Sequence, residues 1–394
     1  MDNRSPVLAR DFPSKPHLLQ AIRLIGSEIE KQPLKSSSLA RIMRETFGGS
    51  DAGGAWFWRM AYDLMQAAAV MQLVRDSSSD ALAMARLLSS RLLTETRRSE
   101  QQIRLQQFST PLPYAALVTR AAAIRPGETF LEPSTGTGAL TGFAVRSGGK
   151  PMLNEIDSFR RALLEAIFDI QVTGFDAEHI DDLLETSELP SVIVMNPPFA
   201  SSVDRSRDKH IAAKHLISAA KRLAPGGRLV AIMPTGFTPE RDAGHWARAS
   251  AIAKPRLALT IPGHVYRKLG TTVETQLMVF DKLQEDVEFV RSAVDDLDAA
   301  REIVDNIGKS RPGASLVQTR AQVRHVPRQG GAPAARKLPA TATSTVKSTS
   351  HAAVPLSFTN LDTPRENTPV SDIYARYRPQ RIEIAGAQEH PTPL

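Results

Sequence analysis

Leu131-Glu132-Pro133-Ser134-Thr135-Gly136-Thr137-Gly138 carries an apolar run straight into a turn with two glycines, and a helical pattern follows from Ala139. Glycine lets the backbone turn tightly and lie close against a ligand, and the helix start behind the turn offers unpaired N–H groups. The loop is not the dinucleotide fingerprint, because GxGxxG needs a third glycine where the chain has Thr141. No GK[ST] follows to make it a Walker loop either. About twenty residues on, a second short run ends in Glu155, where a carboxylate can hold a ribose diol through paired hydrogen bonds. A ribose-bearing ligand without a pyrophosphate fits this spacing; taken alone, the loop also reads as an ordinary strand-to-helix turn.

Outward from this loop, short apolar strands alternate with helices, the pattern of an α/β doubly wound sheet. Strands are expected near Thr129–Glu132, Met152–Glu155, Gln171–Phe175, Val192–Met195, Arg228–Met233, Leu257–Ile261 and Thr275–Phe280, with helices over Tyr114–Ala123, Ser158–Phe168 and His210–Leu223. The stretch before them reads as helical. Leu18, Leu19, Ile22, Ile25 and Ile29 recur at helical spacing, Lys35–Phe47 follows, and Ala55–Val74 sets Trp56, Phe57, Met60, Leu64 and Met65 on one stripe. Ser78–Gln107 continues as helix. The glycine-rich break Gly48 to Gly54 contains no lysine, so it is a turn and not a phosphate-binding loop. Trp56 and Trp58 read as one core ring and one half-exposed ring, with base stacking as the alternative.

Past Gly308 the pattern dissolves. Residues 311–394 hold 10 of the 27 prolines, and Pro339–Ser350 is almost all Ala, Thr and Ser, so no packed core is expected there. Short ordered patches are expected only near Tyr374–Ile384. The division is a helical domain over 1–105, a sheet domain over 106–285, a terminal helix over 286–310 and a basic, mostly disordered linker over 311–394.

The chain of 394 residues contains no cysteine, which excludes a disulfide framework, Cys-ligated metal and a Cys nucleophile. A reducing, cytoplasmic setting is expected. Met1–Gln20 has no apolar core for a signal peptide, and no run approaches the roughly 18 apolar residues of a membrane span. The net charge of +7 is uneven: residues 1–107 carry +4, residues 108–310 carry −3, and residues 311–394 carry +6. Attraction to a polyanion would therefore come from the flanks of the chain.

A second cluster, Val192-Ile193-Val194-Met195-Asn196-Pro197-Pro198-Phe199, runs an apolar strand into Asn-Pro-Pro-aromatic. Two prolines forbid continuation of the strand and stiffen the backbone, holding Asn196 at the carboxyl edge of the sheet, where ligands bind in open α/β sheets. A structural turn does not need an amide, two prolines and a ring together.

These two clusters, in this order, resemble the amino-group branch of the class I S-adenosylmethionine-dependent methyltransferases, over residues 106–282. The resemblance implies a Rossmann-like seven-stranded sheet and an S-adenosylmethionine site formed by Glu132, Pro133, Ser134, Thr135, Gly136 and Gly138. Glu155 would hold the ribose, Ile156 would stack near the adenine, and Asp176 with Ala177 would meet its amine. Gln107-Phe108-Ser109-Thr110-Pro111 looks like the family's QFxTP segment, so Phe108, Thr110 and Pro111 would close over the methionine carboxylate. Glu132 stands where many members have Asp. Val273-Glu274-Thr275-Gln276-Leu277 would be the final hairpin strand. Together with Gly48–Trp56, the clusters also resemble the amino-terminal part of bacterial strawberry-notch-type proteins, which fuse a methyltransferase domain to a DEAD-like helicase. Tyr377–Leu394 is similar to the lead-in to that helicase, which implies a helicase module in cis or in trans.

By that resemblance, Asn196, Pro197, Pro198 and Phe199 form the catalytic loop for an exocyclic amine of nucleic acid, most directly adenine N6 in DNA. RNA guanine N2, a protein glutamine amide and a non-catalytic DNA-binding scaffold are the alternatives. Methylation at cytosine C5 is excluded for want of a cysteine nucleophile. Arg205, Arg207 and Lys209 are placed either to touch substrate phosphates or to form a solvated loop. His179, His210 and His215 are candidate substrate contacts, with ordinary helix-face histidines the commoner reading. Asp181-Asp182 reads as a helix-surface charge run, and no metal site is expected.

Overall fold

A computed structural model describes residues 13–76, 80–96, 109–199 and 208–313. The expected linker, the patches near Tyr374–Ile384 and the helicase-like Tyr377–Leu394 lie outside the described residues.

The chain opens with helices α1 (Lys15–Lys31), α2 (Ser36–Phe47), α3 (Trp58–Arg75) and α4 (Ala81–Arg91), followed by α5 (Leu112–Ala122). Strand β1 (Thr129–Glu132), α6 (Ala139–Arg146), β2 (Lys150–Leu153), α7 (Ser158–Phe168), α8 (Ile180–Leu183), β3 (Val192–Met195), α9 (Ile211–Arg222) and β4 (Arg228–Pro234) alternate after that. The end of the described chain comprises α10 (Ala243–Ile252), β5 (Lys254–Ile261), β6 (Thr275–Asp281), β7 (Val290–Ala293) and α11 (Leu297–Lys309).

The strands form one sheet in the order β2-β1-β3-β4-β6-β5-β7. β2, β1, β3 and β4 run parallel, and β6 is inserted antiparallel between β4 and β5. This is the Rossmann-like α/β arrangement that the resemblance implies. Seven strands are present as expected, but one is exchanged. Gln171–Phe175 pairs with β2 only through an isolated bridge, Asn154 with Thr173, while the unforeseen β7 runs beside β5. The segment 286–310 is accordingly a strand and then a helix.

β1, β3 and β4 are buried on both faces, which explains their unbroken apolar runs. Alternation sorts their side chains: Phe130, Val192, Val194, Val230 and Ile232 face one core, and Leu131, Ile193, Met195, Leu229, Ala231 and Met233 face the other. The first core contains Leu18, Ile22, Ile25, Leu39, Trp56, Met60 and Leu64 as well, so the helical front and the sheet share one hydrophobic interior. α3 shows this most strongly, being buried on nearly every side, from Arg59 to Leu73, where the sequence pattern implies a single apolar stripe. Trp56 is core and Trp58 is half-buried, donating from Nε1 to Asp51 at 2.9 Å. Gly48, Gly49 and Gly54 all adopt positive φ in the turn before it.

The helix expected over Ser78–Gln107 ends at Arg91 within the described residues. Tertiary bonds replace the next turn: the Lys268 ammonium donates to the carbonyls of Ser89, Ser90 and Leu92, and Glu95 N–H donates to the Lys268 carbonyl. At the opposite end of the interior strands β4 and β6, Arg228 and Asp281 pair bidentately at 2.7 and 2.9 Å with no exposure. Arg228 also donates to the carbonyls of Ala121 and Ile307, tying α5 and α11 to the sheet.

Candidate active site

β2, β1 and β3 are adjacent and parallel, so the loops that leave their carboxyl ends emerge side by side, with neighbouring strands about 4.8 Å apart. Those three loops carry Glu155, the glycine turn and Asn-Pro-Pro-Phe.

The glycine turn is shaped by Gly136 and Gly138, at φ 60° and 86°. Only glycine adopts these values without strain. A Cβ on Gly138 would lie 3.0 Å from Leu164 and 3.2 Å from Phe168, so the turn sits directly on α7, whereas a Cβ on Gly136 would meet open space. Within the turn Pro133, Thr135 and Thr137 are buried, and Ser134 and Gly136 keep some exposure. Gly138 N–H closes the turn onto the Thr135 carbonyl at 3.0 Å.

Glu155 is 6% exposed. Its Oε2 accepts from Gly136 N–H at 2.6 Å and its Oε1 from Asp157 N–H at 2.8 Å, so this carboxylate joins the β2 loop to the glycine turn. Each oxygen retains a second lone pair in principle, which is what a ribose diol requires. Burial raises the Glu155 pKa against the opposing pull of Arg160 and the two backbone donors. Glu132 is 1% exposed and accepts from the Thr141 hydroxyl; burial pushes its carboxyl well above the usual range, and the neighbouring Glu155 charge adds to this. Ile156 is 40% exposed, an apolar surface next in the chain to Glu155. Asp176 caps the following turn through Glu178 N–H at 3.0 Å, and Ala177 is buried behind it.

Asn154 is a residue that sequence reasoning missed. Its Nδ2 donates to the carbonyls of Pro133 and Phe175, both at 2.9 Å, and its Oδ1 accepts from Phe175 N–H and the Thr173 hydroxyl, both at 2.8 Å. The side chain behaves as a piece of sheet ladder. It extends the two backbone bonds of the bridge, Thr173 N–H to the Leu153 carbonyl at 3.1 Å and Glu155 N–H to the Thr173 carbonyl at 2.9 Å, and holds the segment 171–175 against the glycine turn.

At the mouth of β3, Asn196 Nδ2 donates to the Thr110 hydroxyl at 3.0 Å. Thr110 is buried, and Pro111 stands at the start of α5. Two segments expected in one site are thus joined directly. Pro197 is buried, Pro198 is partly buried, and the Phe199 ring packs against both hydrophobic cores. Phe108, Arg205 and Arg207 lie outside the described residues; Lys209 is exposed just before α9.

Asn196, Pro197 and Phe199 line a small pocket completed by Tyr266, Thr271, Val273 and Thr275. Tyr266 was not visible in the sequence, since it lies in a short 3-10 turn with no motif around it. It is 3% exposed, its hydroxyl makes no hydrogen bond among the described residues, and its ring meets Tyr114 edge-on at 6.0 Å. His215 is not a surface histidine: it is buried in α9, which lowers its pKa to about 4 and keeps it neutral. His179 is exposed. Asp181 accepts from Lys221 and Ser218, in keeping with a structural role.

The residues fit the group that the resemblance implies. A turn open over Gly136, a buried carboxylate with donors already arranged around it, and an exposed apolar side chain beside it make a donor set for an adenosine carrying a charged tail.

No protein-family model matches the chain, and no curated protein matches it. Among solved structures, it is similar to a protein from Listeria monocytogenes described as a class I S-adenosylmethionine-dependent methyltransferase, at 11% identity and a TM-score of 0.42, over 75% of this chain and 100% of that one. A protein from Vibrio vulnificus, described as a modification subunit of a type I restriction enzyme, is 15% identical at a TM-score of 0.37, over 69% and 82%. The N-methyltransferase NodS from Bradyrhizobium japonicum, in complex with S-adenosylhomocysteine, is 15% identical at a TM-score of 0.33, over 44% and 89%. None of these three reaches a TM-score of 0.5, so the functional reading rests on the residues of this chain. Among the described residues, no helix is long and apolar enough to cross a membrane.

Proposed function

We propose that the chain is an S-adenosylmethionine-dependent methyltransferase acting on an exocyclic amine of nucleic acid, with adenine N6 in DNA as the acceptor. The observation that supports this reading is the adjacency of β2, β1 and β3, which sets the loops carrying Glu155, the glycine turn and Asn196 side by side at one edge of the sheet. Glu132, Pro133, Ser134, Thr135, Gly136 and Gly138 would form the cofactor turn, Glu155 would hold the ribose, Ile156 would lie against the adenine, and Asp176 with Ala177 would meet its amine. Thr110 and Pro111 would close the methionine end, together with Phe108. S-adenosylmethionine, when bound, supplies an electrophilic methyl group.

The rest falls to this chain's own groups. An exocyclic adenine amine is a poor nucleophile because its lone pair is delocalised into the ring. The Asn196 Oδ1 and the Pro197 carbonyl would each accept one amine hydrogen, drawing the nitrogen toward tetrahedral geometry and freeing its lone pair. Thr110, which accepts from Asn196 Nδ2, would help to hold the amide in the orientation this requires. Phe199 would stack on the base, which must be single-stranded or flipped from the duplex at a cost of roughly a few kcal/mol. The proton leaves to water, so no base of shifted pKa is needed. Arg205, Arg207 and Lys209 would touch flanking phosphates, and the basic flanks of the chain would draw it to DNA.

Incubation with methyl-labelled cofactor and separate DNA, RNA and protein fractions tests the acceptor. Label in adenine of DNA that is lost in Asn196→Ala supports the reading; label confined to RNA guanine or protein moves the acceptor to that class. No saturable cofactor binding in calorimetry would overturn the enzymatic reading in favour of a scaffold for a helicase partner.

A further inference from the structure

Outside the crevice, three side chains from two connections of the sheet converge. His210 immediately precedes α9, Asp242 immediately precedes α10, and His245 lies in the first turn of α10. His210 Nδ1 is 3.1 Å from Asp242 Oδ2, and His245 Nδ1 is 2.8 Å from Asp242 Oδ1. One ligand atom from each of the three lies within 4.8 Å of the others. The two imidazoles stack with centroids 4.7 Å apart and planes 25° from parallel.

Asp242 makes the cluster unusual. It occupies the N-cap position of α10, where an aspartate side chain ordinarily accepts from the first N–H groups of the helix, yet it makes no such bond. Its carboxylate is turned to the two imidazoles, and the local stabilisation of the helix is given up. The neighbouring carboxylates are committed elsewhere: Lys214 holds Asp208 at 2.8 Å and Glu178 at 3.0 Å.

We propose that His210, Asp242 and His245 bind a divalent transition-metal ion, with zinc as the best match. Two imidazole nitrogens and one carboxylate oxygen are the borderline donors that such ions take, and three protein ligands leave a fourth position for water or another ligand. The spacing needs a small adjustment: with zinc–nitrogen bonds of about 2.1 Å and a tetrahedral angle the two centroids would lie about 5.2 Å apart, so the ion would open the observed 4.7 Å stack by about half an ångström. Without the ion, each Nδ1 donates its proton to Asp242; with it, that proton moves to Nε2 and the lone pair of Nδ1 turns to the metal. All three ligands are partly exposed, so the ion has an entry path. It would clip the connection after β4 to the start of α9, the helix that follows the Asn-Pro-Pro-Phe loop. This site does not depend on methyl transfer.

The test uses the full chain, freed of metal with a chelator and titrated with ZnCl2 by calorimetry, with Co2+ absorbance as a second probe of ligand geometry. One equivalent of Zn2+ is expected, weakened at least tenfold in both Asp242→Asn and His245→Ala and unchanged in His264→Ala, an exposed histidine elsewhere. His210→Gln serves as a third variant if either substitution changes the circular dichroism. Absence of saturable binding, or binding of equal strength in the wild type and the folded variants, would overturn the site and leave a hydrogen-bonded His-Asp-His cluster.

Discussion

The Asn196 amide is held by the Thr110 hydroxyl across 3.0 Å, a contact between residues 86 positions apart in the chain. The bond restrains rotation of the amide, which the proposed function places at the acceptor. In Thr110→Val, which keeps the shape and removes the hydroxyl, Asn196 can turn, and misplacement on the scale of an ångström costs about a hundredfold in rate. The expected result is kcat lower by roughly 10 to 100 fold with the circular dichroism unchanged, measured under saturating cofactor. An unaltered kcat would remove Thr110 from the positioning of Asn196.

With Glu155 as the proposed ribose ligand, cofactor affinity is expected to depend on pH. Its pKa is raised by burial, so it takes up a proton at a higher pH than an exposed glutamate, and the protonated form accepts fewer hydrogen bonds from a ribose. Affinity for S-adenosylmethionine should be full at high pH and fall as pH drops through this raised value, before ordinary carboxylates titrate. Glu155→Gln should bind more weakly and show a flatter profile. Calorimetry across mildly acidic and neutral pH distinguishes the two.

For Glu132 the sign runs through stability. A carboxyl whose folded pKa lies above its unfolded value stabilises the fold while protonated and loses that contribution as pH rises through the folded value. Glu132→Gln removes the titration and keeps the size. The variant should match the wild type in acid and exceed it at neutral pH, each unit of pKa difference being worth about 1.4 kcal/mol. Thermal unfolding at the two ends of the range checks this, and equal Tm differences at both would contradict it.

Asp63 on α3 pairs with Arg160 on α7 at 3.1 and 3.2 Å, and Arg59 reaches Asp157 at 2.9 Å, all four side chains being largely buried. Breaking a buried pair by removing one partner costs about 3–5 kcal/mol, because the other charge stays behind. Asp63→Ala should destabilise by that order in urea unfolding. Because Arg160 also acts on Glu155, cofactor binding should weaken in the same variant.

Tyr266→Phe separates a structural hydroxyl from a functional one. An unpaired buried hydroxyl is unfavourable, so its removal should leave stability unchanged or raise it by about 1 kcal/mol. If the hydroxyl meets the acceptor, KM for the acceptor rises while cofactor affinity holds. A variant with unaltered kinetics would assign Tyr266 to packing alone.

The parts of this molecule that were legible in the sequence are those in which chemistry and local geometry coincide. β1, β3 and α7 begin and end where the pattern places them, because apolar runs, glycines and prolines act on their immediate neighbours. β7 left no trace: Val290, Arg291 and Ala293 are exposed on an edge strand, so nothing alternates. Gln171–Phe175 has the right texture for a strand, yet its backbone pairing is confined to the bridge at Thr173 and the Asn154 side chain continues it to Phe175. Tyr266 gains its meaning from Asn196 and Asp242 from His210, partners remote in the chain that no window of neighbours encodes.

The interior shared by Leu18, Trp56, Met60 and Phe130 has a consequence for how the chain can be cut or grafted. Residues 15–91 finish one side of the sheet, so a fragment beginning near residue 106 would present that side to water as one broad adhesive surface. Such a fragment should precipitate or be degraded. In any recombined or engineered version, the front helices and the sheet must travel together as one heritable piece.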